Sequence, residues 1–308
     1  MKIAVFGETL RSEVIASLTS DKRISIVDNV DYADVLLSLG GDGTLLNTLS
    51  VIGSREIPVL GVNLGRLGFL TGATRDDIPS LAAMLLNREF STVKRSVLEV
   101  LLDNSSNCGL DSAIIAGDCV RHCEGEARSN PVRNVLHRAP DPAVIADNCV
   151  RHCEGEARSN PVRNGLYALN EAAILRDENS STISVAVFVD NLLLNNYHGD
   201  GVIFATPTGS TAYSLSCGGP VLPPEADNIV VTPIASHTLT VRPLVLTGNA
   251  VLRAECSVPC KLTLDARKYS LPAGTSITIK RAPFPFITMK PKGKEFFETL
   301  REKLFWGL

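Results

Sequence analysis

The stretch DVLLSLGGDGTLLNTLSVIG, residues 34–53, decides the fold. Val35 to Leu39 form an apolar run interrupted only by Ser38. Glycines then flank one aspartate, and a segment that reads as helix follows. A buried strand, a tight glycine turn and a helix in succession make half of a βαβ unit, the building block of parallel sheet. The same pattern extends outward on both sides. KIAVFG (2–7) is a second buried strand entering a turn, and EVIASLTS (13–20) is a helix. IPVLGVNLGRLGFLTG (57–72) is a strand with a glycine-punctuated loop. DDIPSLAAMLLNREF (76–90) is a helix opened by acidic residues, which suit the positive end of its dipole.

After Arg95 the pattern changes. SVLEVLL (96–102), ALNEAAIL (168–175), ISVAVFVD (183–190), LLLNNYHGDGVIFAT (192–206), AVLRAEC (250–256), KLTLDA (261–266) and SITIKRA (276–282) are short, β-branched-rich and separated by turn residues. They predict a largely antiparallel second domain. The tail GKEFFETLREKLFW (293–306) is helical again, with Phe296, Phe297, Leu300, Leu304 and Phe305 on one stripe that is expected to pack on the first domain. The predicted organisation is an α/β, Rossmann-like parallel-sheet domain from 1–95 with about 290–308 added, and a β-rich domain from 96–289.

Thirty basic and 33 acidic side chains leave a net charge of −3, which argues against a surface that coats nucleic acid. No apolar run approaches the ~20 residues that span a membrane, and the first residues are amphipathic. No membrane partner is expected. Reduced thiols in a cytoplasmic protein are the expected state of the cysteines.

The turn at 40–43 places backbone N–H groups and a helix start where phosphate would be welcome. It is equally compatible with a tight structural turn. Neither named alternative fits, because a P-loop requires Gly-Lys-Ser/Thr and the dinucleotide fingerprint requires glycine where Leu46 stands. Asp42 is the odd residue. A carboxylate beside phosphates is repulsive unless it holds a cation or takes a proton from an attacking hydroxyl, both uses that belong to phosphoryl transfer. Aspartate also favours turns for purely local reasons. A second loop system, HGDGVIFATPTGSTAYSLSCGGP (198–220), supplies hydroxyls at Thr206, Thr208, Ser210, Thr211, Ser214 and Ser216, with Tyr213 to stack on a base and a carboxylate at Asp200. A nucleophilic serine has no G-x-S-x-G to support it.

Together these stretches resemble the NAD kinase family, enzymes that phosphorylate the adenosine ribose 2′-hydroxyl of NAD to give NADP. The matches are GGDGTLL, GVNLGRLGFLT, ALNEAAI, GDGVIFATPTGSTAYSLSCGGPVLPP and TPIASHTLTVRPLVL, in family order. GGDGT alone is shared with diacylglycerol- and sphingoid-type lipid kinases, whereas the long TPTGSTAYS block is far more specific. The resemblance implies Asp42 as general base with Gly43 lining the site. It implies Asn170 and Glu171 at the ribose and diphosphate, Asp200 on NAD, and Thr211, Ala212, Tyr213, Ser214, Leu215 and Ser216 along its pocket. His198 stands where many members carry arginine. The resemblance also implies a β-sandwich-like second domain, ATP as donor, a divalent metal such as Mg²⁺, and a homo-oligomer, dimer or tetramer. Ala266 and Arg267 depart from the small residue and glutamine that often follow the aspartate of LDARKY.

The larger departure is an insertion at 108–165, in which CVRHCEGEARSNPVRN occurs at 119–134 and again at 149–164. A Cys₂His₂ zinc site from Cys119, His122, Cys149 and His152 is one reading. Its spacing is unusual, Cys123 and Cys153 have no role in it, and the neighbouring arginines oppose a cation. Identity over sixteen residues instead indicates recent duplication, and the segment reads as a loop insertion without a part in the chemistry. Lengthening a loop from ~8 to ~60 residues costs roughly 2 kcal/mol in closure entropy, small against ~5–15 kcal/mol of stability. Replacing 108–165 with a short turn is therefore expected to leave kinase activity largely intact. Loss of folding or turnover in that variant would contradict a passenger role. A lipid kinase of the diacylglycerol type, and a nucleotide-binding protein whose catalysis the insertion impairs, are the alternatives, and NADP production from NAD and ATP by the purified chain separates all three.

Overall fold

The computed structural model describes residues 1–63, 65, 68–103, 166–293 and 295–305. The duplicated insertion and its four candidate zinc ligands lie outside the described residues.

The first sheet grows from β1 (Lys2–Phe6), which pairs in parallel with the two-residue β2 (Ser25–Ile26) and with β3 (Val35–Leu39). Every residue of β3 is buried, as a parallel strand covered on both faces requires. One face is covered by α1 (Arg11–Thr19). The other is covered by α2 (Asp42–Ile52), whose Leu45, Leu49 and Ile52 face the sheet at helical spacing. β4 (Val59–Asn63) follows in parallel with β3, and β5 (Ala73–Thr74) pairs with β4. The predicted helix at 76–90 is shorter than its pattern. Pro79 lies in a 3₁₀ segment, and the α-helix proper, α3 (Leu81–Leu86), joins α1 on the same face. β6 (Phe90–Arg95) completes the first pass.

From Leu98 the chain builds two six-stranded antiparallel sheets. β7 (Leu98–Asp103) and β8 (Leu166–Ala168) enter one, and β9 (Glu171–Arg176) enters the other. β10 (Ile183–Val189) and β11 (Leu192–Gly199) return to the first of the pair. β12 (Gly201–Ala205), the one-turn helix α4 (Tyr213–Ser216), β13 (Asn228–Ile234) and β14 (Leu244–Thr247) follow in or on the second. β15 (Leu252–Cys256), β16 (Cys260–Leu264), β17 (Arg267–Leu271) and β18 (Ser276–Arg281) finish both. The orders are β11-β10-β15-β18-β7-β8 and β14-β13-β12-β9-β16-β17. The sheets meet where β10 approaches β12 and β7 approaches β9, giving a β-sandwich. Strands β9 and β12 are buried on both sides, because Cys217 and Leu222 cover their second face.

Residues 192–206 read as one strand from sequence, yet they divide between the two sheets. The break falls at Asp200, whose N–H donates to the Ile234 carbonyl while its own carbonyl accepts the Arg176 N–H, both at 3.0 Å. Gly201 has φ +157°, and a Cβ there would overlap the Ile174 carbonyl oxygen. A strand that changes sheets this tightly has no room for a side chain at position 201, directly after the break.

A last strand, β19 (Phe286–Pro291), was not singled out by the sequence pattern. It returns to the first sheet, antiparallel to β6 along its length and parallel to β4 at Thr288, so that sheet is mixed rather than wholly parallel. Six residues ending in proline show too little alternation to declare a strand. Helix α5 (Phe296–Leu304) follows. Leu300 is buried, and Phe296 lines a cavity of about 50 Å³ together with Gly68, Phe69, Thr71 and Thr288. Phe297 and Phe305 of the predicted stripe are instead 60% and 66% exposed. Phe297 is about 100° round the helix from Phe296, and Phe305 lies past its end in left-handed backbone. Among the described residues no helix is long and apolar enough to cross a membrane.

Gly201→Ala should lower stability by about 1–3 kcal/mol, since the added methyl meets backbone that cannot rotate away. Urea denaturation compared with the parent measures it, and an unchanged midpoint would show that the corner can relax.

Candidate active site

Asp42 opens α2 directly after the glycine turn. Its carboxylate accepts the Phe69 N–H at 2.8 Å and the Leu70 N–H at 3.2 Å. The loop that brings these donors is pinned by the Gly68 N–H on Thr71 Oγ1 at 2.7 Å. A Cβ at position 68 would overlap the Asp42 carboxylate, so only glycine allows this approach. Gly41 and Gly43, by contrast, have nothing within 4 Å of where a side chain would begin. Their backbone faces open space, as a surface that receives a ligand must.

The turn between β8 and β9 carries Asn170 and Glu171. Three consecutive N–H groups, of Leu169, Asn170 and Glu171, donate to the Asp265 carboxylate at 3.0, 2.7 and 3.3 Å. From the other side Thr206 donates its hydroxyl to the Leu169 carbonyl at 2.6 Å and its N–H to the Asn170 carbonyl at 2.9 Å. The backbone of the turn is thereby consumed, which holds the two side chains in place. Glu171 is 8% exposed, and its Oε2 has no hydrogen-bond partner among the described residues. Burial pushes its carboxyl up to about 8, the Asp265 charge acts in the same direction, and the Tyr213 N–H partly opposes them. In the unliganded chain at neutral pH it therefore carries a proton, and it can donate as well as accept.

The hydroxyl-rich loop is largely committed to its own fold. Ser210 donates to the Pro207 carbonyl at 2.7 Å and accepts the Leu222 N–H at 2.9 Å. Ser214 is fully buried, with its hydroxyl on Thr232 Oγ1 at 2.9 Å. Thr208 accepts from Arg95, and Thr211 donates to the Thr208 carbonyl at 3.3 Å. Of the pocket residues expected from sequence, Tyr213 and Ser216 are exposed, while Thr211, Ala212 and Leu215 are half-buried. Partial burial raises the Tyr213 phenol, and the charges of Cys217, Asp200 and Glu171 add to the shift. Asp200 and Glu171 thus both lie within electrostatic reach of Tyr213. Asp200 also pairs with Arg176 Nε at 2.9 Å. His198 is exposed on β11, and its carbonyl accepts the His237 N–H at 3.0 Å. Arg267 reaches the Tyr167 carbonyl.

A carboxylate-lined recess suits hydroxyls, which donate to it, whereas phosphates would be repelled and are better matched by the open glycine turn. Sequence inspection missed Asp265 as the clamp of the catalytic-side turn and missed the Phe69 and Leu70 amides. Asp265 has a signal in retrospect, since it sits at φ +52° in a tight turn. The two amides have none, because any residue supplies an N–H.

Two family models match the chain. Residues 15–90 match the ATP-NAD kinase N-terminal domain, and residues 169–290 match the ATP-NAD kinase C-terminal domain. Over 288 residues the chain is 37% identical to the NAD kinase of Porphyromonas gingivalis, covering 92% of this chain and 80% of that protein. The fold is similar to that of yeast NADH kinase complexed with NADH, with a TM-score of 0.73 at 21% identity, covering 100% of this chain and 88% of that one. It is also similar to an NAD kinase from Archaeoglobus fulgidus in complex with ATP, with a TM-score of 0.67 at 22% identity and 99% of both chains covered.

Glu171 supplies a pH test. Its carboxyl titrates at about 8 in the folded chain against an ordinary 4.5. The folded state then binds this proton more tightly than the unfolded state, so its contribution to stability falls as pH rises between those values and is fully lost above the higher one. Glu171→Gln removes the dependence. Its stability relative to the parent should increase by up to about 1.4 kcal/mol per pH unit across that window. Urea unfolding at a series of pH values measures this, and parallel curves for the two proteins would refute it.

Proposed function

The chain belongs to the ATP-NAD kinase family and phosphorylates NAD with ATP as donor, and we propose that Asp42 is the base that takes the proton from the adenosine ribose 2′-hydroxyl. The observation that carries this assignment is the Asp42 carboxylate fixed by two backbone amides beside the open glycine turn. As the hydroxyl oxygen forms its bond to the γ-phosphorus, the bond to the β-γ bridging oxygen breaks. The hydroxyl proton passes to Asp42, ADP leaves and NADP remains. Positioning and charge supply most of the acceleration in such a transfer.

Gly41 and Gly43 leave backbone open for the triphosphate. Asn170 and Glu171 meet the ribose hydroxyls, and the unpartnered Glu171 Oε2 supports that role. Asp200 and Tyr213 hold the dinucleotide, with Thr211, Ala212, Leu215 and Ser216 along its path. His198 stands at the margin. Ser214 contributes through the loop it braces against Thr232.

Among the described residues no three His, Cys, Asp or Glu side chains gather into a metal cage. Magnesium is bound through one or two carboxylates plus substrate phosphates, and Asp42 is the acidic group at the glycine turn that would hold it. Bound there, a divalent cation would neutralise charge on the transferring phosphoryl group. Chain segments 1–95 with 290–308, and 96–289, serve as the two domains. Exposed Leu244 and Val245 on the edge strand β14 suit a second copy in a homo-oligomer, dimer or tetramer. Free thiols at Cys217, Cys256 and Cys260 suit a cytoplasmic setting.

Phe69 and Leu70 donate to different Asp42 oxygens, so Asp42→Asn keeps one amide contact, loses the other and cannot accept the proton. Turnover of NAD and ATP to NADP should fall by about 10²–10⁴-fold with an unchanged circular dichroism spectrum and only a small drop in melting temperature. Retained turnover would reassign the base.

A further inference from the structure

Arg95 ends β6, the last strand before the chain leaves the first sheet. It is 8% exposed, and its described hydrogen bonds go to hydroxyls. Nε donates to Thr288 Oγ1 at 2.8 Å, and one Nη donates to Thr208 Oγ1 at 3.3 Å. Burial lowers its guanidinium to about 10, and the charges of Glu225 and Asp42 act in the opposite direction. The side chain therefore stays charged at neutral pH within reach of Asp42.

A buried cation is costly, and an apolar side chain of similar volume would fill the same space more cheaply. The two hydroxyls it joins explain its place. Thr288 belongs to β19 of the first sheet, the sheet from which α2 and Asp42 spring. Thr208 belongs to the 206–211 loop on the sandwich. That loop carries Thr206, whose hydroxyl and N–H hold the Leu169 and Asn170 carbonyls. One chain of bonds thus runs from the first sheet through Arg95 and Thr208 to the turn of Asn170 and Glu171.

We propose that Arg95 is a positioning residue for the phosphoryl transfer, clasping the 206–211 loop to the first sheet and so setting the turn of Asn170 and Glu171 against Asp42. This rests on the kinase reading above. The described hydrogen bonds of Arg95 go to Thr288 and Thr208, so its effect passes through the groups it holds. Loss of the clasp displaces the acceptor relative to the base, an error that falls on the transition state more than on ground-state binding.

The test is steady-state kinetics with NAD and ATP on the full chain, for the parent, Arg95→Met, Arg95→Lys, Thr208→Val and the double variant Arg95→Met/Thr208→Val. Folding is monitored by circular dichroism and thermal melts. The clasp predicts that Arg95→Met lowers kcat by about 10–100-fold with KM for both substrates nearly unchanged. Thr208→Val should lower kcat in the same manner, and Arg95→Lys should recover part of the loss. The double variant should be little worse than Arg95→Met alone, because both changes break one connection. Folded variants with parental kcat and only a lower melting temperature would overturn the proposal, as would a rise in KM at constant kcat. If Arg95→Met does not fold, Thr208→Val, which leaves the arginine in place, decides by the same criteria. Absence of NADP formation by the parent chain would remove the kinase reading and the clasp together. Parental activity with unchanged variants would remove the clasp alone.

Discussion

Helix α2 buries its apolar face in a core that two parts of the chain share. Leu45, Leu49 and Ile52 pack with Leu36 and Val59 of the first sheet, and the same cluster includes Val97, Leu169, Ala282 and Phe284. Tyr167 joins at its edge, with its ring set edge-on to Phe284 at 5.0 Å between centroids. Close packing leaves such a cluster few alternative arrangements. The helix that starts at Asp42 is therefore locked against Leu169, the residue immediately before Asn170 and Glu171. The site depends on this shared core, because it places the glycine turn and the acidic turn in one neighbourhood without any direct bond between them.

Two ribbons reinforce the arrangement. β6 continues into β7 and β18 into β19, and the strands of each level pair antiparallel. The first sheet and the sandwich are thus joined by two strands side by side rather than by a single linker. Arg95 and Ala282 lie where this double connection bends, and the bond from Arg95 to Thr208 ties the hydroxyl-rich loop to it. Polar groups elsewhere in the site follow one rule. Those that are buried are spent on groups of the protein itself, on backbone for Thr206, Ser210 and Asp265 and on another side chain for Ser214 and Thr208. The exception is Glu171, whose carboxyl is buried, flanked by another acid and left with one oxygen unpartnered. An enclosed acid that keeps its proton is matched to a hydroxyl-rich ligand, which can both give and receive hydrogen bonds.

Much of the fold was legible because periodicity is a local property. The glycine turn between an apolar strand and a 45/49/52 helix stripe declares a parallel α/β unit, and short alternating segments declare antiparallel sheet. The residues of the candidate site were legible for a different reason, namely the resemblance of GGDG, ALNE and TPTGSTAYS to one family. The hydroxyls show the limit of this. Thr206, Ser210 and Ser214 look like ligand contacts in a list of residues, yet their oxygens bond to groups of the protein itself. Nothing in the sequence separates a serine that faces a nucleotide from one that braces the segment presenting it.

By itself, the sequence determined most element types, the order of the α/β and β-rich parts and the position of the carboxylate in the glycine turn, since each depends on neighbours a few positions apart. Only the tertiary structure decided which sheet each strand joins, and the split of 192–206 at Asp200 and the return of β19 to the first sheet are the clearest cases. It alone decided that Asp265 clamps a turn about 95 residues earlier, that amides at Phe69 and Leu70 steady Asp42, and that Arg95 is buried between two hydroxyls. These are long-range contacts, selected by packing of distant segments around a common core, and no window of sequence contains both partners.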